Sequence, residues 1–308
     1  MKAFYCDQFV LPLPDNHRFP MSKYQGLRER LESENAFELL VPPAATDQQI
    51  LLCHSEQYLN KVVSGELDDL EQKTLGFPWS EAMVERSRRS VGATIAAARV
   101  ALEEGAAANL AGGTHHAQRD MAQGFCVFND CAIAARVMQE EDLADQIMIL
   151  DADVHQGNGT AAICSGDASI YTYSIHGEKN FPVKKEISDM DIELEDDTGD
   201  ETYLDSLRQS LHVAFNEAYP DLVFYLAGAD PFSGDRLGRL SLSKEGLMRR
   251  DEMVMEFCSR RSLPLVMVMA GGYADEVEDI VDIHQNSLKI ISDYAETIKD
   301  DANSFSLS

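Results

Sequence analysis

The chain has 308 residues, 44% of them apolar, enough for a folded α/β domain with a sizeable core and too many for wholesale disorder. Its 53 acidic residues against 26 basic ones give a formal charge of −27, which counts against a phosphate backbone as partner and leaves cationic partners or plain solubility as its uses. No apolar run approaches the ~20 residues of a membrane span. The opening "MKAFYCDQFVLPLPDNH" is broken by Asp7 and two prolines, so it lacks the apolar stretch of an export signal, and a soluble, cytoplasmic protein is expected.

Along the chain, short apolar runs alternate with helical stretches. The runs are "AFYC" near residue 4, "NLAGG" at 109–113, "QIMILDAD" at 146–153, "SIYTYSI" at 169–175, "DLVFYLAGAD" at 221–230 and "LPLVMVMAGG" at 263–272. Continuous apolar runs are those of strands covered on both faces, so they predict a predominantly parallel central sheet. Helices are expected over 80–104, with Ser80 as N-cap and Gly105 just past the end, over 201–217 and over 275–295. The alternation predicts one α/β domain over 1–300 with helices on both faces of the sheet, and a frayed tail over 301–308. The acidic segment 183–200 shows no clean periodicity and reads as a surface excursion. Six scattered cysteines, none in a C-x-x-C pair, read as reduced, buried thiols.

In parallel α/β sheets ligands bind beyond the carboxyl ends of the strands. Four polar clusters fall there: "AGGTHHAQ" at 111–118, "DADVHQGNG" at 151–159, "AGADPFSGD" at 227–235 and "MAGGYAD" at 269–275. Residues two apart in an extended chain share a face, so Asp151, Asp153 and His155 can converge if the strand geometry persists, with Asp230 reaching them from another strand end. Two carboxylates and an imidazole (Asp153, His155, Asp230) neutralise a divalent ion and leave a position open for chemistry, zinc first and ferrous iron second. Each Asp alone is as well explained as a helix cap, but all three beside a double histidine are not. His115 and His116 can serve as general base and acid toward an activated water, and Tyr273, after Gly271 and Gly272, can donate its phenolic O–H to an oxyanion. Together these parts describe metal-assisted hydrolysis of an amide or related carbonyl, with the substrate open.

These residues resemble those of the zinc-dependent histone deacetylases, of the arginase–deacetylase fold. "HRFPMSKY" at 17–24, "GGTHHA", "GFCVFND", "DADVHQGNG", "GADPFSGDRLG" and "AGGY" stand in that family's order, and the "HQGNG" version is similar to the class IV branch and related bacterial deacetylases. The resemblance implies an acyl-lysine deacetylase or deacylase with its active site at the C-terminal ends of the strands. Asp153, His155 and Asp230 would be its metal ligands, His115 and His116 its tandem histidines, and Tyr273 the carbonyl-polarising tyrosine. It also implies a channel lined by Phe125 and Phe181, with Gly124 beside the substrate. A structural monovalent cation, K+, would be held by Asp151, Asp153, His155, Ser174 and Ile175.

One position departs from the class I pattern. Asp151 can back His115, but Asn158 stands behind His116, where it can orient the imidazole without bringing a negative charge. The implied substrate is an N-acylated lysine in a protein or peptide, or an acylated polyamine, which the acidic composition would favour weakly. Two rivals stay open: a two-metal hydrolase of the arginase type, which would need D-x-H-x-D ligands that this chain lacks, and a non-catalytic acyl-lysine-binding protein.

Overall fold

The computed structural model describes residues 1–308 apart from 15, 16, 35, 307 and 308, and side chains only as far as 297. Eight strands form one sheet: β1 Lys2–Phe4, β2 Glu38–Leu40, β3 Ala106–Asn109, β4 Ile147–Asp151, β5 Ile170–Gly177, β6 Met190–Leu194, β7 Leu222–Leu226 and β8 Leu265–Val268. Their order is β2-β1-β3-β8-β7-β4-β5-β6, and every pairing is parallel. The central strands β3, β4, β7 and β8 are buried along their whole length, which is why they read as unbroken apolar runs.

Side chains alternate between the two faces. Met148, Leu150, Val223, Tyr225, Leu265 and Met267 pack against α1 Ser22–Glu32, α8 Asp200–Ala218, α9 Lys244–Ser259 and α10 Val277–Ser306. Ile147, Ile149, Phe224, Leu226, Val266 and Val268 join the core under α2 Asp47–Ile50, α3 Glu56–Ser64, α4 Asp69–Leu75, α5 Glu81–Glu104, α6 Asp130–Glu140 and α7 Asn158–Cys164. Helix α5 starts and stops where its sequence says. The Ser80 hydroxyl accepts from the Met83 N–H, and Gly105, at φ 87°, closes the end by donating to the Ala101 carbonyl.

Several expectations need correction. Strand β3 occupies 106–109, not 109–113, because Gly112 and Gly113 adopt φ of 76° and 71° and turn the chain away from the sheet. Segment 183–200 is not wholly a surface excursion: it contains β6, which pairs with β5 as an edge strand. Its exposed charge suits an edge that must resist pairing with other chains. The short edge strand β2 lay outside every predicted run. Helix α10 continues beyond 295 to Ser306, so the expected frayed tail is helical in its backbone as far as it is described, and 307–308 lie outside the described residues. All six cysteines are free and buried. Among the described residues no helix is long and apolar enough to cross a membrane.

Candidate metal and catalytic site

The polar clusters meet at the carboxyl edge of β3, β8, β7 and β4. Strand β4 ends at Asp151, so Asp153 and His155 do not converge by strand alternation as expected. Two successive side-chain-to-backbone turns place them instead. Asp151 Oδ1 accepts from the Asp153 N–H at 3.1 Å, and Asp153 Oδ1 accepts from the His155 N–H at 2.9 Å. Asp230 arrives from beyond β7, and its Oδ1 accepts from the Val154 N–H at 2.9 Å.

Asp153, His155 and Asp230 form a metal-competent group whose ligand atoms all lie within 4.8 Å of one another. Two observations support a cation there. Asp230 Oδ2 is buried and makes no well-formed hydrogen bond among the described residues, with His155 Nδ1 its polar neighbour at 3.2 Å. Burial, and then the neighbouring Asp153 carboxylate, push the Asp230 carboxyl up to about 7 even with His155 beside it pulling the other way, as expected where two buried carboxylates crowd together. Space is kept open by a glycine: a Cβ on Gly271 would stand 1.8 Å from Asp230 Oδ2 and 2.6 Å from Asp153 Oδ2. The donor set, two carboxylates and one imidazole, fits a catalytic divalent ion.

The histidine pair lies beside this group. His115 Nδ1 is 2.6 Å from Asp151 Oδ2, and His116 Nδ1 is 2.7 Å from Asn158 Oδ1. Burial works against charge on both rings, but the outcomes differ. For His115 the Asp151 and Asp153 carboxylates override burial and hold the imidazole up at about 9. For His116, burial and the neighbouring His115 and His155 push it well below the usual range. With Nδ1–H donated to Asn158, the neutral ring of His116 presents Nε2 as an acceptor.

Tyr273 follows the turn at Gly271 and Gly272. Burial, then the Asp230 and Asp153 carboxylates, raise its phenol far above the ordinary value, so it remains an O–H donor. A cavity of about 660 Å³ connects these groups to solvent. Its walls include Phe125, Phe181 and Gly124. The Phe181 ring stands edge-on to His116 at 4.8 Å, and a Cβ on Gly124 would meet His116 Cδ2 at 2.6 Å and Phe181 Cε1 at 3.4 Å. Phe125 holds an unusual φ of 68°, fixed by its N–H to the Leu75 carbonyl at 2.7 Å. Of the residues expected around a monovalent cation, Asp151 is in register with Ser174 on the neighbouring strand β5, with Ile175 next to it.

Several supporting residues had no assigned part. Asp130 accepts from the N–H groups of Gly113 and Thr114 (3.1 and 2.7 Å) and from the Thr94 and Thr114 hydroxyls, pinning the loop that carries the histidines. Asp235 receives the N–H groups of Tyr273, Leu237 and Gly238 and so anchors the tyrosine turn. Lys23, buried, donates to the Gly272 carbonyl at 3.1 Å. Each sits inside a quoted motif, yet a carboxylate that ties loops together leaves no periodic trace by which to find it.

An eight-stranded parallel α/β sheet with a buried Asp-His-Asp group, a histidine pair and a tyrosine on one rim defines a single-domain protein of arginase–deacetylase architecture. Residues 17–288 match the histone deacetylase domain, and the chain belongs to that family. It is 42% identical to an uncharacterized protein of Picosynechococcus sp. over 283 residues, 91% of this chain and 94% of that one. It is 31% identical to histone deacetylase 2 of Arabidopsis thaliana, covering 86% of this chain and 73% of that one. Its identity to the acetoin utilization protein AcuC of Bacillus subtilis is 29%, over 73% of this chain and 64% of that one. Among solved structures, the HDA15 HD domain superposes with a TM-score of 0.79 at 20% identity, covering 98% of this chain and 95% of that one, a likeness of fold.

Proposed function

We propose that this protein is a metal-dependent deacylase that hydrolyses N-acyl amides, with an acylated lysine as the substrate type. The observation that carries this reading is the meeting, around one cavity, of a buried Asp-His-Asp group, a histidine pair of split basicity and a protonated tyrosine. A divalent ion held by Asp153, His155 and Asp230, zinc in preference to ferrous iron, would supply Lewis-acid polarisation of the acyl carbonyl and acidify the attacking water.

This chain's own groups do the rest. His116, neutral and oriented by Asn158, accepts the proton of the water at Nε2. Tyr273 donates its O–H to the oxygen on which negative charge develops. His115, hydrogen-bonded through Nδ1 to Asp151, stands beside the reacting centre, and the pair returns a proton to the leaving nitrogen. Phe125 and Phe181 flank an apolar passage for an alkyl stem, with Gly124 leaving it open. K+ in the company of Asp151, Asp153, His155, Ser174 and Ile175 is the further cation this reading includes. The Asn158 partner of His116 favours a place near the class IV branch.

A hydrolysis panel on purified, zinc-loaded protein tests the reading, with acetyl-, propionyl-, octanoyl- and myristoyl-lysine peptides beside N-acetylated polyamines and His116→Ala as control. Turnover with one metal ion per chain, lost in the control, is expected. Peptide binding with no turnover would turn the assignment to a non-catalytic acyl-lysine reader, and two metal ions per chain would turn it to an arginase-type hydrolase.

A further inference from the structure

The cavity mouth has the opposite sign to the rest of the protein. Acidic residues outnumber basic ones 53 to 26 over the whole chain. Around the cavity, five cations (Arg18, Lys73, Lys179, Arg236 and Arg239) stand against one carboxylate, Asp153, which belongs to the metal group at its base.

These cations come from separate parts of the chain, and each is tied to a wall of the passage. The Arg18 guanidinium lies 5.0 Å from the centre of the Phe125 ring. Lys73 precedes Thr74, whose carbonyl accepts from the Gly124 N–H at 3.1 Å. Arg236 donates from Nε to the Tyr273 carbonyl at 2.8 Å. Arg239 donates its backbone N–H to Asn180, which stands between Lys179 and Phe181.

Their charge is incompletely neutralised. Asp196 is shared by Arg239 at 2.7 Å and Lys179 at 3.7 Å, and the exposed Asp275 lies 3.4 Å from Arg236. Arg18 and Lys73 make no ion pair among the described residues, and both are exposed. Besides Asp153 at the base, Asp196 and Asp275, with Asp197 also near Arg239, stand against five cations around a cleft whose low-dielectric walls focus the field.

We propose that this ring selects acyl amines that carry carboxylates next to the scissile amide, and disfavours cationic amines and basic peptide tails. The inference rests on the deacylase reading and names its substrate class. The overall charge of −27 does not oppose it at short range. At ~0.15 M salt the Debye length is about 8 Å, so the distant acidic surface is screened while contacts at the mouth persist.

The test compares three acetyl-lysine peptides of equal length, flanked on both sides by Glu, Ala or Lys, with turnover and binding measured in parallel. Free Nε-acetyl-lysine beside its α-amide distinguishes an α-carboxylate from acidic side chains as the source of the charge, and an N-acetylated polyamine completes the set. At ~0.15 M salt kcat/KM should be ~10-fold higher for the Glu-flanked than for the Lys-flanked peptide, mainly through KM, and the ratio should collapse near 1 M salt.

In the double variant Arg18→Glu, Lys73→Glu the ratio should fall to one or invert. Arg249→Glu, the same kind of charge reversal on α9 away from the cavity, should leave it in place. A preference for the free α-carboxylate over its amide also supports the proposal. Equal rates for all peptides with no such preference, or a best rate on the Lys-flanked peptide or the polyamine, overturns it. Failure of the deacylase reading looks different: the Glu-over-Lys order would persist in binding while no peptide was cleaved. Absence of both binding order and turnover removes both.

Discussion

His116 donates to Asn158 Oδ1 at 2.7 Å, whereas one residue earlier His115 donates to a carboxylate, Asp151 Oδ2, at 2.6 Å. Adjacent rings in the same burial therefore have partners that differ by one negative charge. That difference accompanies their split, with His115 held up at about 9 and His116 driven well below its ordinary value. Asn158→Asp places a carboxylate against Nδ1 of His116 and favours its imidazolium. If His116 is the base, it must lose its proton to work, so a higher pKa moves the acidic limb of kcat/KM to higher pH, by about one unit or more. The pH profile of the variant, taken with a peptide substrate, decides this. A limb that stays in place removes His116 as the group that titrates there.

Tyr273 offers a cleaner separation of binding from chemistry. Its hydroxyl has no hydrogen-bond partner among the described residues, while its ring packs against Phe125 and Phe19 with centroids at 6.0 and 6.1 Å. Tyr273→Phe keeps the packing and deletes the donor. The variant should melt within a few degrees of the parent and hold a similar KM, with kcat lowered by ~10²-fold or more, the order for loss of one oxyanion donor. Near-parental kcat would take the tyrosine out of the reaction.

The sheet and its functional rim were legible wherever a buried strand stopped at a polar residue. Asp151, Asp230 and the Gly271–Tyr273 turn each follow an unbroken apolar run, and burial on both faces writes that signal into the sequence. Strand β6 was missed although "MDIEL" alternates apolar and acidic residues, because its neighbours are acidic too and drown the period. The strand geometry on which the convergence of Asp153 and His155 depended stops at Asp151, and the turns that seat them instead are not legible, since side-chain-to-backbone bonds leave no pattern two residues apart. Least legible was the charge at the mouth. Arg18, Lys73 and Arg236 lie far apart in a chain of net charge −27, and only the fold brings them round one cavity.

Gly271 is where backbone shape meets the candidate metal group. Its N–H donates to Asp153 Oδ2 at 2.6 Å, and the space a side chain would take is filled by Asp230 Oδ2. Gly271→Ala forces a methyl group against both carboxylates and displaces the oxygen it would overlap most, Asp230 Oδ2, away from His155 Nδ1. Bound metal should drop from one ion per chain to a small fraction, measured by elemental analysis after dialysis, and activity should fall by at least ~10²-fold. An alanine variant that keeps a full equivalent of metal would show that the ion does not use these two residues together.

His54 links acid stability to the loop that carries His115 and His116, without touching the Asp153, His155 and Asp230 group. It is buried, and its Nε2 accepts from the Asn129 N–H at 3.0 Å. The Asn129 side chain in turn donates to the Ala117 carbonyl at 3.2 Å, next to His116, and to Thr160 at 3.0 Å. Burial lowers the His54 imidazole to about 4 from an ordinary value of 6.5. Because the folded pKa lies below the unfolded one, the unfolded chain takes up more protons between these values. The stability held above pH 6.5 is therefore lost as pH falls toward 4, by on the order of 3 kcal/mol. His54→Gln replaces the ring nitrogen with a side-chain oxygen that accepts at all pH values and does not titrate. Urea unfolding at pH 7.5, 6, 5 and 4.5 should show a shallower decline for the variant than for the parent, the gap closing as pH falls. Parallel curves would mean that His54 either keeps an ordinary pKa in the folded protein or gives up its bond to Asn129 at no cost.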